Sequence, residues 1–178
     1  MPQNHHPHEI LKFCPRCGEK TFKPQTGKSL ECTACGFLFY INEAASVVAV
    51  IFNDKGEMLL TVRKHEPEKG MLDLPGGFVD PGESAEQALI REIKEELNLD
   101  IYDFSYFGSF PNQYLFGGIT YFTLDITFIC MVDSLEGIKA GDDVQDYRFI
   151  DLKQIEIDQI GLGSIKKVVK ELKINFHR

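Results

Sequence analysis

The sequence predicts a mixed α/β domain preceded by a small four-cysteine module, and three observations carry that prediction. β-branched runs and amphipathic helical stretches follow one another from residue 44 onward. Four of the five cysteines stand before that point, in two Cys-x-x-Cys pairs. With 43% hydrophobic and 26% charged residues in 178, the chain has the composition of an ordinary globular protein, which excludes wholesale disorder. The expected organisation is a flexible lead-in over 1–12, the cysteine module over 13–43, and the main domain over 44–178.

Taken in order, Ser46–Phe52 is a β-branched run suited to a buried strand. Asn53-Asp-Lys-Gly56 supplies turn residues and Met58–Val62 returns as a second strand, so the two are expected to pair as a hairpin. A polar loop over 64–70 leads to Leu72-Asp-Leu74 and the turn-rich Pro75-Gly-Gly77. Ser84–Leu97 reads as a helix; Tyr102–Phe110, Tyr121–Val132 and Tyr147–Ile150 read as strands. Ser164–Phe176 is a second helix, with Ile165, Val168, Val169, Leu172 and Phe176 on one stripe.

The net charge of −8 is unevenly spread. Residues 1–45 hold five Lys/Arg against four Asp/Glu, and residues 46–178 hold fourteen against twenty-three. An acidic body argues against a broad nucleic-acid surface and suits a protein that binds cations. No apolar stretch approaches the ~20 residues of a membrane helix, and the polar start is not a signal peptide, so a cytoplasmic protein without membrane contact is expected.

Cys14-Pro-Arg-Cys17-Gly18 and Cys32-Thr-Ala-Cys35-Gly36 are separated by fourteen residues. Each pair can turn a tight knuckle and offer two thiolates to one ion, which together make the tetrahedral four-sulfur zinc site of a zinc ribbon. An iron–sulfur centre or two disulfides are the alternatives. Four thiolates close the coordination sphere, so a zinc held by Cys14, Cys17, Cys32 and Cys35 is expected to be structural. The glycine after each pair is expected to relieve crowding where backbone amides fold towards sulfur. Cys130, in an apolar strand, reads as a small buried hydrophobe.

In the first long helix, Ser84 is a good N-cap and Gln87 completes a capping box. Leu89, Ile93, Leu97 and Ile90 fall on one arc of about 100°, with Glu92, Glu95 and Glu96 on an adjoining arc. A solvated charged face is the ordinary reading of such glutamates. The segment before the helix tips the balance: Gly76-Gly77, Pro81-Gly82 and Glu83 deliver a loop with free backbone and another carboxylate to the helix N-terminus. Gathered carboxylate oxygens are hard ligands for Mg²⁺ or Mn²⁺, and a helix N-terminus beside them favours phosphate.

Gly77, five residues, Glu83, seven residues, then Arg91-Glu92-Ile93-Lys94-Glu95-Glu96-Leu97-Asn98-Leu99 resembles the signature of the Nudix hydrolases. Asn98 replaces that signature's last glycine, and asparagine is the next most usual residue at a left-handed helix stop. The resemblance implies a Nudix-type α/β/α sandwich with a mixed sheet. It further implies a divalent-metal-dependent hydrolase that cleaves the pyrophosphate bond of a nucleoside diphosphate linked to another group. Residue by residue, it implies metal ligation by Glu92, Glu96 and the Gly76 carbonyl, a further ligand or water-orienting role for Glu95, and a brace made by Arg91 and Glu83. In the later segment Gly141–Leu152, Asp143 stands where a family glutamate contacts metal or the attacking water, with Asp142 as the fallback. Phe78, at the mouth of the loop, is placed to stack a nucleobase.

A four-cysteine ribbon directly before such a domain is similar to the NADH pyrophosphatase branch, whose enzymes commonly pair as homodimers and some of which remove NAD caps from RNA. That branch's Ser-Gln-Pro-Trp-Pro-Phe-Pro-x-Ser motif is absent: the corresponding stretch reads Gly108-Ser-Phe-Pro-Asn-Gln-Tyr-Leu-Phe-Gly-Gly118, and the protein has no Trp. ADP-ribose and related ADP-sugars therefore stand beside NADH and NAD as expected substrates, and nothing in the residues singles out NAD-capped RNA. The alternative from another class is a nucleotide-sensing regulator whose ribbon contacts nucleic acid or protein.

Overall fold

The computed structural model describes residues 5–141 and 143–176. They form two compact units: residues up to Glu43 together with Gln113–Phe122, and Ala44–Asn112 together with the residues from Thr123 on.

In the first unit, a short helical turn (α1, Pro7–Ile10) precedes three antiparallel strands, β1 (Phe22–Thr26), β2 (Ser29–Cys32) and β3 (Leu38–Tyr40). Its core is small: Cys14, Phe22, Leu30 and Cys32 are buried, with Phe37 and Ile41 against them. The expected lead-in carries structure from His5 onward. The His5 carbonyl accepts the Thr120 N–H at 2.8 Å, and the His6 and Phe122 rings lie 5.5 Å apart.

The second unit contains β4 (Ala44–Ile51), β5 (Glu57–Arg63), β6 (Leu72–Asp73), α2 (Ala85–Leu97), most of β7 (Ile101–Phe116) and β8 (Ile119–Val132), then β9 (Val144–Asp151) and α3 (Gly163–Asn175). One sheet has the order β4-β8-β7 and the other β6-β5-β9. Strand alternation makes the sandwich. Val47, Ala49 and Ile51 pack with Leu89, Ile93 and Leu97 of α2, while Val48 and Val50 pack with Ile165, Val168, Val169 and Leu172 of α3.

The expected β4–β5 hairpin exists only at its turn. Asn53 Oδ1 accepts the N–H groups of Lys55 and Glu57, and an isolated bridge joins Phe52 to Met58. Beyond it the strands diverge: β4 pairs in parallel with β8, and β5 pairs antiparallel with β6 and β9. Both are buried along nearly their whole length: β5 is the middle strand of its sheet, and β4 is covered by β8 on one side and by residues 75–79 on the other. Ile90, expected on the buried arc of α2, is exposed, and Glu96 is buried in its place. Phe176, expected on the α3 stripe, is also exposed and meets the Phe52 ring at 5.4 Å.

Candidate functional site

Two groups of chemically able side chains emerge, one in each unit. In the first, the Sγ atoms of Cys14, Cys17, Cys32 and Cys35 all lie within 4.8 Å of one another. Cys14–Cys35 and Cys17–Cys32 are separated by 3.8 and 3.6 Å. A tetrahedron with metal–sulfur bonds of about 2.3 Å has edges of about 3.8 Å, so the four sulfurs are spaced for one ion. The two knuckles repeat one pattern: Gly18 N–H bonds the Cys14 carbonyl and Gly36 N–H the Cys32 carbonyl, each at 2.8 Å. Both glycines are left-handed, with φ of 78° and 70°. A side chain at either would meet nothing within 4 Å, so what each knuckle requires is the backbone angle and not, as expected, relief from crowding. The Thr21 hydroxyl, 3.2 Å from Cys32 Sγ, heads the interactions that draw that thiol down to about 6.

The second group is built around the loop from β6 to α2. Residues 75–79 lie along β4 as an irregular strand: Val47 N–H bonds the Gly77 carbonyl, Ala49 N–H the Pro75 carbonyl, and Val79 N–H the Ala45 carbonyl, at 2.8–3.0 Å. Gly76 has φ 141°, and a Cβ there would stand 2.0 Å from the Val47 carbonyl oxygen. A Cβ on Gly77 would stand 2.5 Å from the Glu92 carboxylate. The two glycines thus let the loop press against β4 on one side and a glutamate on the other.

The helix behind the loop is stopped at both ends as its sequence predicts. Ser84 and Gln87 form both halves of the capping box, and Asn98 closes the C-terminus at φ 56°. Arg91 is the hub. Its Nε and Nη2 donate to the two oxygens of Glu83 at 3.0 and 2.8 Å, its Nη1 donates to Glu92 at 2.7 Å and to Glu95 at 3.2 Å, and Nη2 also reaches the Phe78 carbonyl at 3.0 Å. Such a bidentate pair fixes geometry as well as charge. The hydrogen bonds from Arg91 hold the Glu83 carboxyl below its ordinary range, and the guanidinium is in turn held more firmly protonated.

Glu96 sits apart from that hub. It is 7% exposed and accepts the Gly76 N–H at 2.9 Å. Burial, together with the charges of Glu92, Asp73 and Asp143, pushes its carboxyl up to about 8 despite that hydrogen bond. Asp143 itself is exposed, with Oδ1 3.6 Å from His65 Nε2, and Phe78 is half-exposed at the loop's edge. Asp142 lies outside the described residues. Among the described residues, the four cysteines are the group whose ligand atoms already fall within one ion's reach; the glutamates are not gathered that closely.

Two buried acids escaped the sequence reading. Asp73 is 6% exposed and pairs with Arg63, and its carboxyl is pushed up by burial more strongly than Arg63 draws it down. Asp125 is 5% exposed and accepts hydrogen bonds from the hydroxyls of Ser46 and Thr123. Alternation in the sequence hides both: Asp73 stands between Leu72 and Leu74, and Asp125 shares its parity with Thr123 and Thr127, so each reads as a solvent-facing position.

Fold and site together describe an α/β/α sandwich in which a glutamate-bearing helix is delivered by a Gly-Gly loop. A match to the NUDIX domain over residues 42–172 makes the family plain: the chain belongs to the NUDIX domain family. It is 37% identical over 122 residues to the ADP-ribose pyrophosphatase of Methanocaldococcus jannaschii, covering 67% of this chain and 68% of that one. It is 35% identical over 111 residues to the NAD-capped RNA hydrolase NudC of Haemophilus influenzae, covering 60% of this chain and 42% of that one. The chain therefore spans about two fifths of the length of the NudC relatives it matches. A crystal structure of a NUDIX hydrolase from Nitrosomonas europaea superposes with a TM-score of 0.66 at 22% identity, over 94% of this chain and 93% of that one. No helix among the described residues is long and apolar enough to cross a membrane.

Proposed function

We propose that the chain is a divalent-metal-dependent hydrolase of the pyrophosphate bond in a nucleoside diphosphate linked to another group, with ADP-ribose or a related ADP-sugar as the leading substrate class and NADH or NAD as the next. The observation that carries the reading is Glu96, a buried carboxyl at the Gly-Gly loop with further carboxylates within electrostatic reach. A buried acid among like charges is expensive to keep, and a hard cation at that point relieves the cost. Its donor set is all oxygen and acidic, which fits Mg²⁺ or Mn²⁺. The similarity to a protein named ADP-ribose pyrophosphatase supports the substrate class.

A pyrophosphate link is shielded by its own negative charge. Bound Mg²⁺ or Mn²⁺ supplies neutralisation of the phosphate oxygens and a more acidic water. Glu92, Glu96 and the Gly76 carbonyl would hold the cation, with Glu95 as a further ligand or as the group that orients the attacking water. Arg91 and Glu83 brace the loop on the helix, so that the phosphates meet a preset arrangement. Asp143, on its exposed segment, adds negative charge at the same place. Phe78 offers its half-exposed ring to a base. In the other unit, Cys14, Cys17, Cys32 and Cys35 would hold one structural Zn²⁺; four thiolates leave it no open position for chemistry.

The test is turnover of ADP-ribose, NADH, NAD⁺, dinucleoside polyphosphates, FAD, nucleoside triphosphates and NAD-capped RNA with Mg²⁺ or Mn²⁺, the products being separated chromatographically. Cleavage of ADP-ribose to AMP and ribose 5-phosphate, abolished by chelator, is expected. Tight nucleotide binding without turnover of any of these would overturn the reading in favour of a nucleotide-sensing regulator.

A further inference from the structure

Asp125 breaks the usual rule for buried charge. It is 5% exposed, yet none of the described residues forms an ion pair with it; its partners are the hydroxyls of Ser46 and Thr123. Both donate to the same oxygen, Oδ1, with Thr123 at 3.1 Å. No hydrogen bond from the described residues reaches Oδ2. Two hydroxyls thus aim a carboxylate while leaving half of it unused.

Its place in the sheet ties it to the Gly-Gly loop. Ser46 is the register partner of Asp125 across the parallel β4–β8 pair, and on its other side Ser46 forms an antiparallel bridge with Phe78. Directly opposed residues share a face, so Phe78, Ser46 and Asp125 form one row, half-exposed at the loop end and buried at the other. Two residues along β8 on that face, Thr127 is fully buried, and its hydroxyl has no hydrogen-bond partner among the described residues. The same side of the β4-β8-β7 sheet carries the partly buried rings of Phe107 and Phe110. Asp125 Oδ2 and the Thr127 hydroxyl are thus polar atoms of that face with no hydrogen-bond partner among the described residues.

The charge of the neighbourhood says what those atoms bind. Asp73, itself a buried acid, interacts electrostatically with Asp125, so the row carries negative charge from more than one group. A phosphate oxygen would be repelled there. A carboxylate only accepts, so the matching ligand group is a donor. A nucleoside diphosphate derivative offers ribose hydroxyls and the base amino group. With the base assigned to the Phe78 ring at the row's exposed end, the hydroxyls are left for Asp125.

We propose that Asp125, held by Ser46 and Thr123 in the row that begins at Phe78, accepts a hydrogen bond from a sugar hydroxyl of the substrate and is a specificity-determining residue. The proposal rests on the pyrophosphatase reading above and adds to it a group that selects sugar-bearing diphosphates.

The test compares wild type, Asp125→Asn and Ser46→Ala on three probes: ADP-ribose, adenosine 5′-(methyl diphosphate), which lacks the distal sugar, and ADP-ribose with a 2′,3′-dideoxyadenosine half. The amide of the Asp125→Asn variant turns a donor towards a donor, so kcat/KM on ADP-ribose is expected to fall about tenfold or more. Ser46→Ala loosens the carboxylate and should give a smaller loss with the same probe dependence. The loss should shrink towards none on whichever probe lacks the recognised hydroxyls, which tells the distal ribose from the adenosine ribose. Equal losses on all three probes, or no loss on any, would overturn the proposal. Should the wild type cleave none of them, the pyrophosphatase reading has failed separately. Calorimetric titration of the same probes then tests the hydroxyl contact alone, and equal affinity of wild type and Asp125→Asn, or no binding, refutes it.

Discussion

Replacing Glu96 by glutamine should make the fold more stable at neutral and alkaline pH while removing the carboxylate the proposed chemistry needs. The Glu96 carboxyl lies in a buried position that raises it from the ordinary value of 4.5 to about 8. In the interval between those values the folded chain keeps a proton on Glu96 that the unfolded chain has released. Stability from this group is therefore complete below the unfolded value and drains away as pH rises through the folded one. Each pH unit of separation corresponds to about 1.4 kcal/mol. Water entry and side-chain relaxation reduce the total, and glutamine must also place an amide N–H₂ where the second oxygen was. Its own oxygen can still accept the Gly76 N–H. The expected advantage of Glu96→Gln is near zero at about pH 5 and about 1–3 kcal/mol at about pH 8. Urea unfolding across that range, without added divalent cation, reads the difference. Added Mg²⁺ should then stabilise the wild type, most strongly at the alkaline end, and leave the variant nearly unmoved. A difference that stays constant with pH, or equal stabilisation of both by Mg²⁺, would refute the reasoning.

The two loop glycines should fail differently. Gly76→Ala puts a methyl against the Val47 carbonyl at a backbone angle an alanine rarely adopts, and is expected to cost about 3 kcal/mol or more, read by thermal unfolding. Gly77→Ala meets only the movable end of Glu92, so the fold should survive while kcat falls. Asn98→Ala should lose about 1 kcal/mol in urea unfolding through its left-handed angle, and Asn98→Gly should lose little or nothing. Atomic emission should find one zinc per chain, and Cys32→Ser should lose it, with faster amide exchange confined to the first unit.

What was legible in the sequence was the chemistry that acts over a few residues. The knuckles around Gly18 and Gly36, the Ser84–Gln87 box and the Asn98 stop depend on backbone angles set by neighbours in the chain, and all appear where the spacing put them. Arg91 meeting Glu95 follows from the i, i+4 spacing of the helix, while its pairing with Glu83 was expected only from the resemblance to the Nudix signature. The pairing of β4 and β5 was not legible, because a β-branched run bounded by turn residues does not say which layer it will join. Glu96 misled in a smaller way: it lies only about 20° from Leu89 around the helix, so the buried stripe takes it in and leaves Ile90 to solvent. Asp125 and Asp73 needed the tertiary structure, since their partners Ser46 and Arg63 come from other strands.

The most direct measurement of the central claim is the initial rate of ADP-ribose cleavage with Mg²⁺ by wild type, Glu96→Gln and Glu86→Gln. Glu86 lies on the same helix and serves as the control for charge alone. Loss of a metal-binding carboxylate should reduce turnover by about a hundredfold or more in Glu96→Gln, while Glu86→Gln stays within about twofold of wild type. Similar rates in the two variants would contradict the assignment of the Gly-Gly loop and its helix as the hydrolytic centre.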